Sequence, residues 1–165
     1  LYWGGIREGA LLALAPADFN FERGTVSINK SYQRINKQDV ITTPKTPKSI
    51  RVIQMPKFLC DEMQDYFKMF YSLDSDSRIF PISKNYLHRE MARGSKATGV
   101  KRIRIHDLRH SHVSLLIDMG FTALAIADRV GHESIDITFR YAHLFPTRQI
   151  EMADKLDMMR SEKGA

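Results

Sequence analysis

Residues 106–141, HDLRHSHVSLLIDMGFTALAIADRVGHESIDITFRY, hold the pattern that decides the fold. Apolar side chains recur there at spacings of three and four residues, which is the periodicity of amphipathic helices. Gly120 and Gly131 fall at two points where that pattern stops, and helix C-termini favour glycine at such points. The stretch therefore predicts three short helices: His106–Met119, Thr122–Val130 and Ile135–Tyr141.

The same stretch carries side chains suited to phosphate chemistry. His106 and Arg109 are three residues apart, so a helix places them on one face. His132 follows Gly131, and Tyr141 lies nine residues after His132. Guanidinium groups are planar, permanently charged donors that suit the oxygens of a phosphodiester. A phenol, with a pKa of about 10, is a weak nucleophile unless cations and a base assist it.

Two upstream residues, Arg7 and Lys45, join this set of candidates. Arg7 lies in GGIREGALLAL, residues 4–14, and is the second arginine that could neutralise a phosphate. Lys45 lies in TPKTPKS, residues 43–49, where a mobile lysine could carry a proton to a leaving oxygen. Lys48 could take that role instead, and we favour Lys45.

The remaining sequence predicts further helices and short strands. Residues 1–14 read as the end of a helix that stops before Pro16. Strands are predicted at 24–34, 39–43 and 49–54, with a turn at Pro44–Pro47 and a basic hairpin tip. Further helices are predicted from Pro56 to about Tyr71, from Ser83 to about Lys96 and from Pro146 onward.

The predicted fold class is therefore α+β, mostly α-helical with a small antiparallel three-stranded β-sheet. A length of 165 residues indicates one domain. Residues 94–104 read as a basic, flexible connector between the helices. The last predicted helix carries an apolar stripe of Ile150, Ala153, Leu156 and Met159.

Positive charge is concentrated in two segments of a chain whose net charge is +6. Residues 30–57 hold seven basic side chains and one acidic one, and residues 84–109 hold eight and two. The rest of the chain is acidic overall, and a basic face on an acidic body indicates a polyanion partner, most often a nucleic acid. The candidates for DNA contacts are Lys48, Lys101, Arg102 and Arg104.

Several classes of protein are excluded by the composition. No stretch without Asp, Glu, Lys or Arg exceeds 9 residues, whereas a membrane-spanning helix needs about 20 apolar residues. A secretory signal is not expected, because Arg7 and Glu8 interrupt the first apolar residues. Cys60 is the only cysteine, so no intramolecular disulfide can form, which fits a reducing cytoplasm.

Four boxes taken together resemble those of the tyrosine recombinases, the phage-integrase family. HDLRH (106–110), VGH (130–132) and Tyr141 are similar to the family's C-terminal box. GGIREGALLAL is similar to its first arginine box, and TPKTPKS to the hairpin that carries its lysine. Because the boxes follow the family's order and spacing from Leu1 to about Leu156, the resemblance implies the DNA breaking-rejoining catalytic fold.

The resemblance also implies a role for each candidate. Tyr141 would be the nucleophile that forms a 3′-phosphotyrosyl link, and the two arginines would bind the phosphate. Lys45 would be the general acid, His106 an acid–base helper and His132 a hydrogen-bond partner of the phosphate. The implied reaction is a transesterification that needs neither a metal nor another cofactor. Its expected outcome is the site-specific integration or excision of a phage or mobile element.

The partner implied by the resemblance is double-stranded DNA that carries attachment sites, in the cytoplasm of a bacterium or phage-infected host. Full-length members place core-binding and often arm-binding domains before the catalytic domain and assemble as tetramers on DNA. We therefore expect residues 1–165 to be an N-terminally truncated catalytic domain that is monomeric alone. Residues 146–165 would be a tail that packs in trans, and a directionality factor is a further expected partner.

One position departs from the family pattern, and three other interpretations stay open. The family commonly has an acidic residue three positions after the first arginine, where this chain has Ala10. A catalytically inactive DNA-binding module would keep the basic face, and a type IB topoisomerase would share the chemistry. HDLRH also reads as a zinc-hydrolase pattern, with ligands from His106 and His110 and a third from His132 or Glu133.

Overall fold

The computed structural model describes residues 1–44, 46–141, 143 and 149–162. The helices are α1 (Glu8–Ala13), α2 (Lys57–Lys68), α3 (Lys84–Thr98), α4 (Asp107–Asp118), α5 (Ala123–Val130), α6 (Ile135–Phe139) and α7 (Gln149–Glu162). The strands are β1 (Phe19–Asn20), β2 (Thr25–Ile28), β3 (Ser31–Ile35), β4 (Gln38–Thr42) and β5 (Arg51–Gln54). Two short 3₁₀ turns, Pro16–Asp18 and Pro47–Ser49, precede β1 and β5. The predicted class, mostly helical with a small antiparallel sheet, is confirmed.

The strands form two separate sheets. β1, β2 and β5 make an antiparallel sheet in which Val26 lies opposite Ile53. β3 and β4 make a hairpin in which Tyr32 lies opposite Ile41. The hairpin turns at Asn36 and Lys37, which both have positive φ angles of 50° and 66°. Two consecutive residues of this kind make the tight turn that matches the twist of paired strands.

The predicted arrangement of the three strands was therefore wrong in its pairing. The single strand expected at 24–34 is broken into two strands, β2 and β3. Segment 39–43 was expected to pair with 49–54 across the turn at Pro44–Pro47, but it pairs with β3 across the turn at residues 36 and 37. Lys30 lies at the break, and its Nζ is 2.8 Å from a carboxylate oxygen of Asp18. The tight turn pairs β4 with β3, so the hairpin is a sheet of its own.

Helix α1 packs between the two sheets. Ile6, Ala10 and Leu14 face a core that includes Val26 and Ile53 of the first sheet. On its other side, Leu12 and Ala13 pack against the fully buried Tyr32 of β3. Arg7, directly before α1, is thereby held at the junction of both sheets.

Helices α4 and α5 form a second core, which is built from Val113, Ile117, Ile126 and Val130. The bounds of α4, α5 and α6 agree with the three predicted helices to within two residues. Gly131 ends α5 with a φ angle of +66°, as the sequence predicts for a helix C-terminus. This turn directs the next residue, His132, back toward α1.

Two predictions about boundaries were wrong. The helix expected over 1–14 spans only Glu8–Ala13, because Gly5 has a φ angle of +58° that no helix accepts. The connector expected from residue 94 begins later, since α3 continues to Thr98 and ends at Gly99 in a left-handed conformation. Pro146, the expected start of the last helix, lies outside the described residues. No helix in the described part of the chain is long and apolar enough to cross a membrane.

Candidate active site

Arg109 is the buried centre of the candidate site. It lies on α4 with only 4% of its surface exposed, and its Nη1 donates a hydrogen bond of 2.6 Å to the carbonyl oxygen of Gly5. Its Nη2 is also buried but has no partner among the described residues. Burial and the nearby charges of Arg7 and Arg51 lower the pKa of Arg109 to about 9, so the group is still charged at neutral pH.

Arg7 connects two other segments to this centre. Its Nη1 donates to the hydroxyl of Ser49 at 3.2 Å, in the turn before β5. Its Nη2 donates to the carbonyl oxygen of Gly131 at 3.3 Å, beside His132. Burial lowers the pKa of Arg7. The guanidinium therefore lies between the segment that follows Lys45 and the turn that carries His132.

Two more arginines, Arg51 and Arg129, join Arg7 and Arg109, and we call these four residues the arginine cluster. Arg51 Nε donates to the carbonyl oxygen of Arg129 at 2.8 Å. Arg129 in turn donates to the carbonyl oxygens of Gln54 and Trp3 at 3.1 and 3.3 Å. Burial, followed by the charges of Arg7 and Arg129, lowers the pKa of Arg51 to about 10.

No ion pair neutralises the arginine cluster in the described part of the chain. Among residues 1–44, 46–141, 143 and 149–162, no carboxylate forms an ion pair with any of the four guanidinium groups. Backbone carbonyl oxygens hold the cluster in place instead. An anion with several acceptor oxygens is the chemical group that would complete such a site.

Sequence reasoning missed Arg51 and Arg129 as parts of the site. Arg51 was counted only as one of the basic residues of 30–57, and Arg129 was not singled out. A signal was present, because Arg51 and the buried Ile53 are two residues apart on β5, so their side chains lie on the same face of the strand. Arg129 lies in the turn of α5 next to Val130 and Gly131. An arginine in such a sequence more often covers the surface, and only the fold brings these two together.

His132 lies buried at the edge of the cluster. Its Nδ1 shares a hydrogen bond of 2.8 Å with the hydroxyl of Thr138, a fully buried residue of α6. Burial, followed by the charges of Arg109, Arg7 and Arg51, lowers the pKa of His132 to about 4. The imidazole is therefore neutral at pH 7.

His106 is exposed at the N-terminal end of α4. Its ring meets the ring of His110 edge to face, with 4.8 Å between their centroids. Burial of part of the ring lowers the pKa of His106, and the charges of His110, Arg109, Arg104 and Arg7 add to that effect.

Tyr141 is half-buried against the core of α4 and α5. Its hydroxyl shares a hydrogen bond with Nδ1 of His110. Burial raises the pKa of the phenol, although the charges of Arg109 and Arg140 act in the opposite direction. The phenol is therefore protonated at rest, and its oxygen is in contact with an imidazole nitrogen.

The structure thus brings five of the six predicted catalytic residues together: Arg7, His106, Arg109, His132 and Tyr141. Lys45 lies outside the described residues, so its role stays a prediction. Of the candidates for DNA contacts, Lys48, Lys101 and Arg102 are exposed. Arg104 is exposed as well but is already paired with Asp107, with Nη2 and Oδ1 2.7 Å apart.

Ala10, the position that departs from the family pattern, is buried in the wall of a cavity of about 360 Å³. The cavity lies between the β3–β4 hairpin and the arginine cluster, and both Arg7 and Arg51 line it. Glu133 also lines it.

The zinc interpretation finds no ligand set in the structure. In the part of the chain that is described, no three His, Cys, Asp or Glu side chains come together so that they could hold a metal ion. His110, one of the two ligands that the HDLRH pattern offers, has its Nδ1 on the hydroxyl of Tyr141 instead.

Gly5, whose carbonyl oxygen accepts the hydrogen bond from Arg109, lies where a residue with a Cβ atom would be strained. A Cβ atom at this position would lie 2.4 Å from Cδ2 of His112 and 3.1 Å from Cγ1 of Val130, and the φ angle of +58° is strained for any side chain. We expect Gly5→Ala to lower the free energy of unfolding by about 1–3 kcal/mol and the melting temperature by about 3–10 °C.

Thermal unfolding followed by circular dichroism would measure this effect. Gly94→Ala is the matched control, because a Cβ at Gly94, on α3, meets nothing within 4 Å. That variant should unfold at the same temperature as wild type or slightly above it. Equal melting temperatures for both variants would contradict the role of Gly5.

An arginine cluster centred on the buried Arg109, beside a half-buried tyrosine, is a class of site that could bind a phosphate next to a phenolic oxygen. The model of the phage integrase family matches residues 1–148. The chain belongs to this family, as the four sequence boxes predicted.

Similar proteins of known sequence are integrases. The ICEBs1 integrase of Bacillus subtilis is 36% identical over 167 residues, which cover 93% of this chain and 45% of the relative. A putative prophage phiRv2 integrase of Mycobacterium tuberculosis is 27% identical over 165 residues, which cover 95% of this chain and 44% of the relative. The chain therefore spans less than half the length of these relatives.

Similar solved structures share the fold. The Tn1549 transposon integrase in complex with circular intermediate DNA superposes with a TM-score of 0.70 at 18% identity, over 95% of this chain and 56% of that one. The catalytic domain of bacteriophage HP1 integrase superposes with a TM-score of 0.60 at 19% identity, over 92% and 74% of the two chains.

Proposed function

We propose that residues 1–165 are the catalytic domain of a site-specific DNA recombinase that cleaves and rejoins duplex DNA through a 3′-phosphotyrosyl intermediate. The observation that carries this proposal is the position of Tyr141. Its phenol lies within electrostatic range of Arg109, whose Nη2 is buried and has no partner among the described residues. A phosphate that accepts a hydrogen bond from this nitrogen would lie next to the phenolic oxygen.

The arginine cluster would bind the scissile phosphate. Negative charge redistributes over the non-bridging oxygens when a nucleophile attacks phosphorus, and fixed cations stabilise that change. The charges of Arg7 and Arg51 add to the effect of burial in lowering the pKa of Arg109, which is the sign of a local positive field. Because backbone carbonyls already orient both groups, the field needs little reorganisation when the reaction occurs.

His132 would donate a hydrogen bond to the same phosphate. An imidazole with a pKa of about 4 is neutral at pH 7 and carries one N–H. If the hydroxyl of Thr138 donates to Nδ1, that N–H is on Nε2. Thr138, a fully buried residue, would therefore set the tautomer of His132.

The leaving 5′ oxygen needs a proton, and we propose that Lys45 supplies it with help from His106. Attack by Oη of Tyr141 would form the bond to phosphorus and break the bond from phosphorus to the 5′ oxygen. A 5′-hydroxyl from another strand would then reverse the step. The energy of the phosphodiester is kept in the protein–DNA link, so joining requires no nucleotide cofactor.

The substrate we propose is the attachment-site DNA of a phage or integrative element in a bacterial cytoplasm. The integrase names of the relatives in Bacillus and in Mycobacterium support this choice. The DNA in the Tn1549 complex supports the duplex as partner. We also propose that a directionality factor, which selects between integration and excision, is a partner of the full-length protein.

The exposed basic residues before α4 would contact the DNA backbone. We expect the double variant Lys101→Ala, Arg102→Ala to reduce the slope of log Kd against log salt concentration by about 2, because each lost phosphate contact removes about 0.9. Fluorescence anisotropy with labelled duplex DNA at several salt concentrations measures the slope. Lys68→Ala is the control, since this exposed lysine on α2 pairs with Asp65 outside the two basic segments. An unchanged slope in the double variant would contradict the assignment.

Helix α7 would dock on a neighbouring copy in a tetramer on DNA. Its apolar side chains Met152, Leu156, Met158 and Met159 are each at least 55% exposed. Burying one such side chain stabilises an interface by about 1.5–3 kcal/mol. Deletion of residues 146–165 should therefore weaken assembly on DNA about tenfold or more, as measured by analytical ultracentrifugation, without changing the melting temperature. Unchanged assembly together with unchanged cleavage would contradict this docking.

A covalent-trapping assay tests the proposed function. The full-length protein is mixed in EDTA with a nicked attachment-site duplex, from which the short cleaved strand diffuses away, and adducts are separated on a denaturing gel. The proposal predicts an EDTA-resistant adduct. DNA that is bound without any adduct would indicate a catalytically inactive binding module, and hydrolysis that EDTA abolishes would indicate metal chemistry.

A further inference from the structure

His110 is the second histidine of the HDLRH box, and none of the roles proposed above uses it. It lies on α4 one residue after Arg109, and its Nδ1 shares a hydrogen bond with the hydroxyl of Tyr141. The two rings are tilted by 41°, with 5.8 Å between their centroids. His110 is therefore in direct contact with the oxygen that would attack the phosphate.

The other imidazoles near the site are engaged elsewhere. Nδ1 of His132 is bonded to Thr138. Nε2 of His112 accepts a hydrogen bond of 3.2 Å from Arg129. His106 meets the ring of His110 and has no hydrogen bond to Tyr141 among the described residues. His110 is thus the imidazole with a nitrogen on the phenol.

The groups around His110 would accommodate a proton that arrives on its ring. On its own helix, Asp107 interacts electrostatically with His110, and the hydrogen bonds from Arg104 lower the pKa of Asp107 to about 2, so its carboxylate is charged. His106, directly before α4, and His132, after α5, interact with His110 as well, and burial lowers the pKa values of both, that of His132 to about 4. Arg109 is a cation whose charge acts on the phenol of Tyr141.

Solvent reaches the other side of the His110 side chain. His110 lines an open cleft together with Tyr2, Asp107 and Asp118. An imidazolium formed by proton transfer from Tyr141 would be solvated in this cleft until the step reverses. Tyr2 and Asp118 are the remaining ionisable groups of the cleft, and Asp118 adds a second carboxylate.

We propose that His110 is a catalytic residue that accepts the phenolic proton of Tyr141 during cleavage. The proton moves from Oη to Nδ1 as Oη forms its bond to phosphorus and the bond to the 5′ oxygen breaks. The 5′ oxygen takes its proton from the separate general acid, and the imidazolium returns its own proton to Oη when the step reverses. This inference rests on the proposed function and assigns the base within that same site.

The test is the pH dependence of single-turnover cleavage by the full-length protein with nicked attachment-site DNA. Asparagine places a polar atom near the position of Nδ1 but is not a base. We expect His110→Asn to cleave about 10²–10⁴-fold more slowly than wild type. The wild-type rate should fall at low pH, where a base on the phenol would be protonated, and the Asn variant should lose this fall. Added imidazole should restore part of the rate to His110→Ala.

Three controls separate this inference from the function on which it depends. Gln64→Ala, at an exposed position of α2 outside the site, should cleave like wild type. Melting temperature and DNA affinity of the Asn variant should stay at wild-type values. A substrate with sulfur in place of the leaving 5′ oxygen needs no general acid, so it should rescue Lys45→Ala and leave the defect of His110→Asn unchanged.

Several results would overturn the assignment. Cleavage by His110→Asn within threefold of wild type would exclude a base at this position. A slow variant that keeps the wild-type fall at low pH, or that the sulfur substrate rescues, would show that His110 acts on something other than the phenolic proton. Absence of any adduct in the wild-type reaction would instead contradict the proposed function itself.

Discussion

Replacement of Tyr141 by phenylalanine should abolish the covalent protein–DNA adduct while the protein still folds and binds DNA. Phenylalanine keeps the ring that packs against the core of α4 and α5, and it removes the only atom that can attack. The hydrogen bond lost with His110 costs about 0.5–1.5 kcal/mol of stability. The denaturing gel of the trapping assay measures the adduct, and anisotropy measures binding.

Tyr66→Phe is the matched control for Tyr141→Phe. The hydroxyl of Tyr66 donates a hydrogen bond of 3.2 Å to the carbonyl oxygen of Ile79, so this variant also loses one hydrogen bond. It should form the adduct at the wild-type rate. If Tyr141→Phe retains the adduct, then Tyr141 is not the nucleophile.

Arg109→Lys should slow cleavage about 10²–10³-fold, because the loss of one fixed donor to a developing negative charge has an effect of that size. Lysine keeps the positive charge but lacks the planar fork that holds Gly5 with Nη1 and leaves Nη2 for a phosphate oxygen. DNA affinity should change little, since most of it comes from other phosphate contacts. Quenched-flow or manual time courses of adduct formation give the rate.

Arg23→Lys is the control for this substitution. Arg23 is exposed in the turn between β1 and β2 and belongs to neither the arginine cluster nor the two basic segments. Its variant should cleave at the wild-type rate. A rate for Arg109→Lys within threefold of wild type would show that positive charge alone, without the geometry of the guanidinium, is sufficient.

The arginine cluster has a further consequence for stability. Neighbouring guanidinium charges lower the pKa values of Arg51 and Arg109, and no member of the cluster has a carboxylate partner among the described residues, so the cluster is repulsive in the free protein. Carbonyl oxygens of Gly5, Gly131 and Arg129 offset part of that repulsion. A bound phosphate would offset more of it, and a ligand that binds only the folded state raises stability by mass action.

The helical half of the fold was predictable from local sequence. Helix periodicity and the glycines at 120 and 131 are short-range signals, and they placed α4, α5 and α6 to within two residues. The strands were less predictable, because pairing depends on contacts beyond the local pattern. The tight turn at Asn36 and Lys37 pairs β4 with β3. The prolines at 44 and 47 had instead predicted a turn between β4 and β5.

Site residues were predictable from the sequence where their residue types and spacing matched the family pattern. Histidine, arginine and tyrosine at family spacing indicated His106, Arg109, His132 and Tyr141, which the fold brings together. Arg51 and Arg129 were missed because an arginine on a strand or at a helix end usually covers the surface. The contact between His110 and Tyr141 joins residues 31 positions apart. It depends on the tertiary packing of the segment after α6 against α4, which local sequence does not show.

The most direct test of the central claim is to identify the residue that is joined to DNA. The adduct formed in EDTA would be digested with protease and nuclease, and its peptides analysed by mass spectrometry. The account predicts a 3′-phosphate on the side chain of Tyr141 and a free 5′-hydroxyl on the released strand. A link to any other residue, or attachment through a 5′-phosphate, would contradict it.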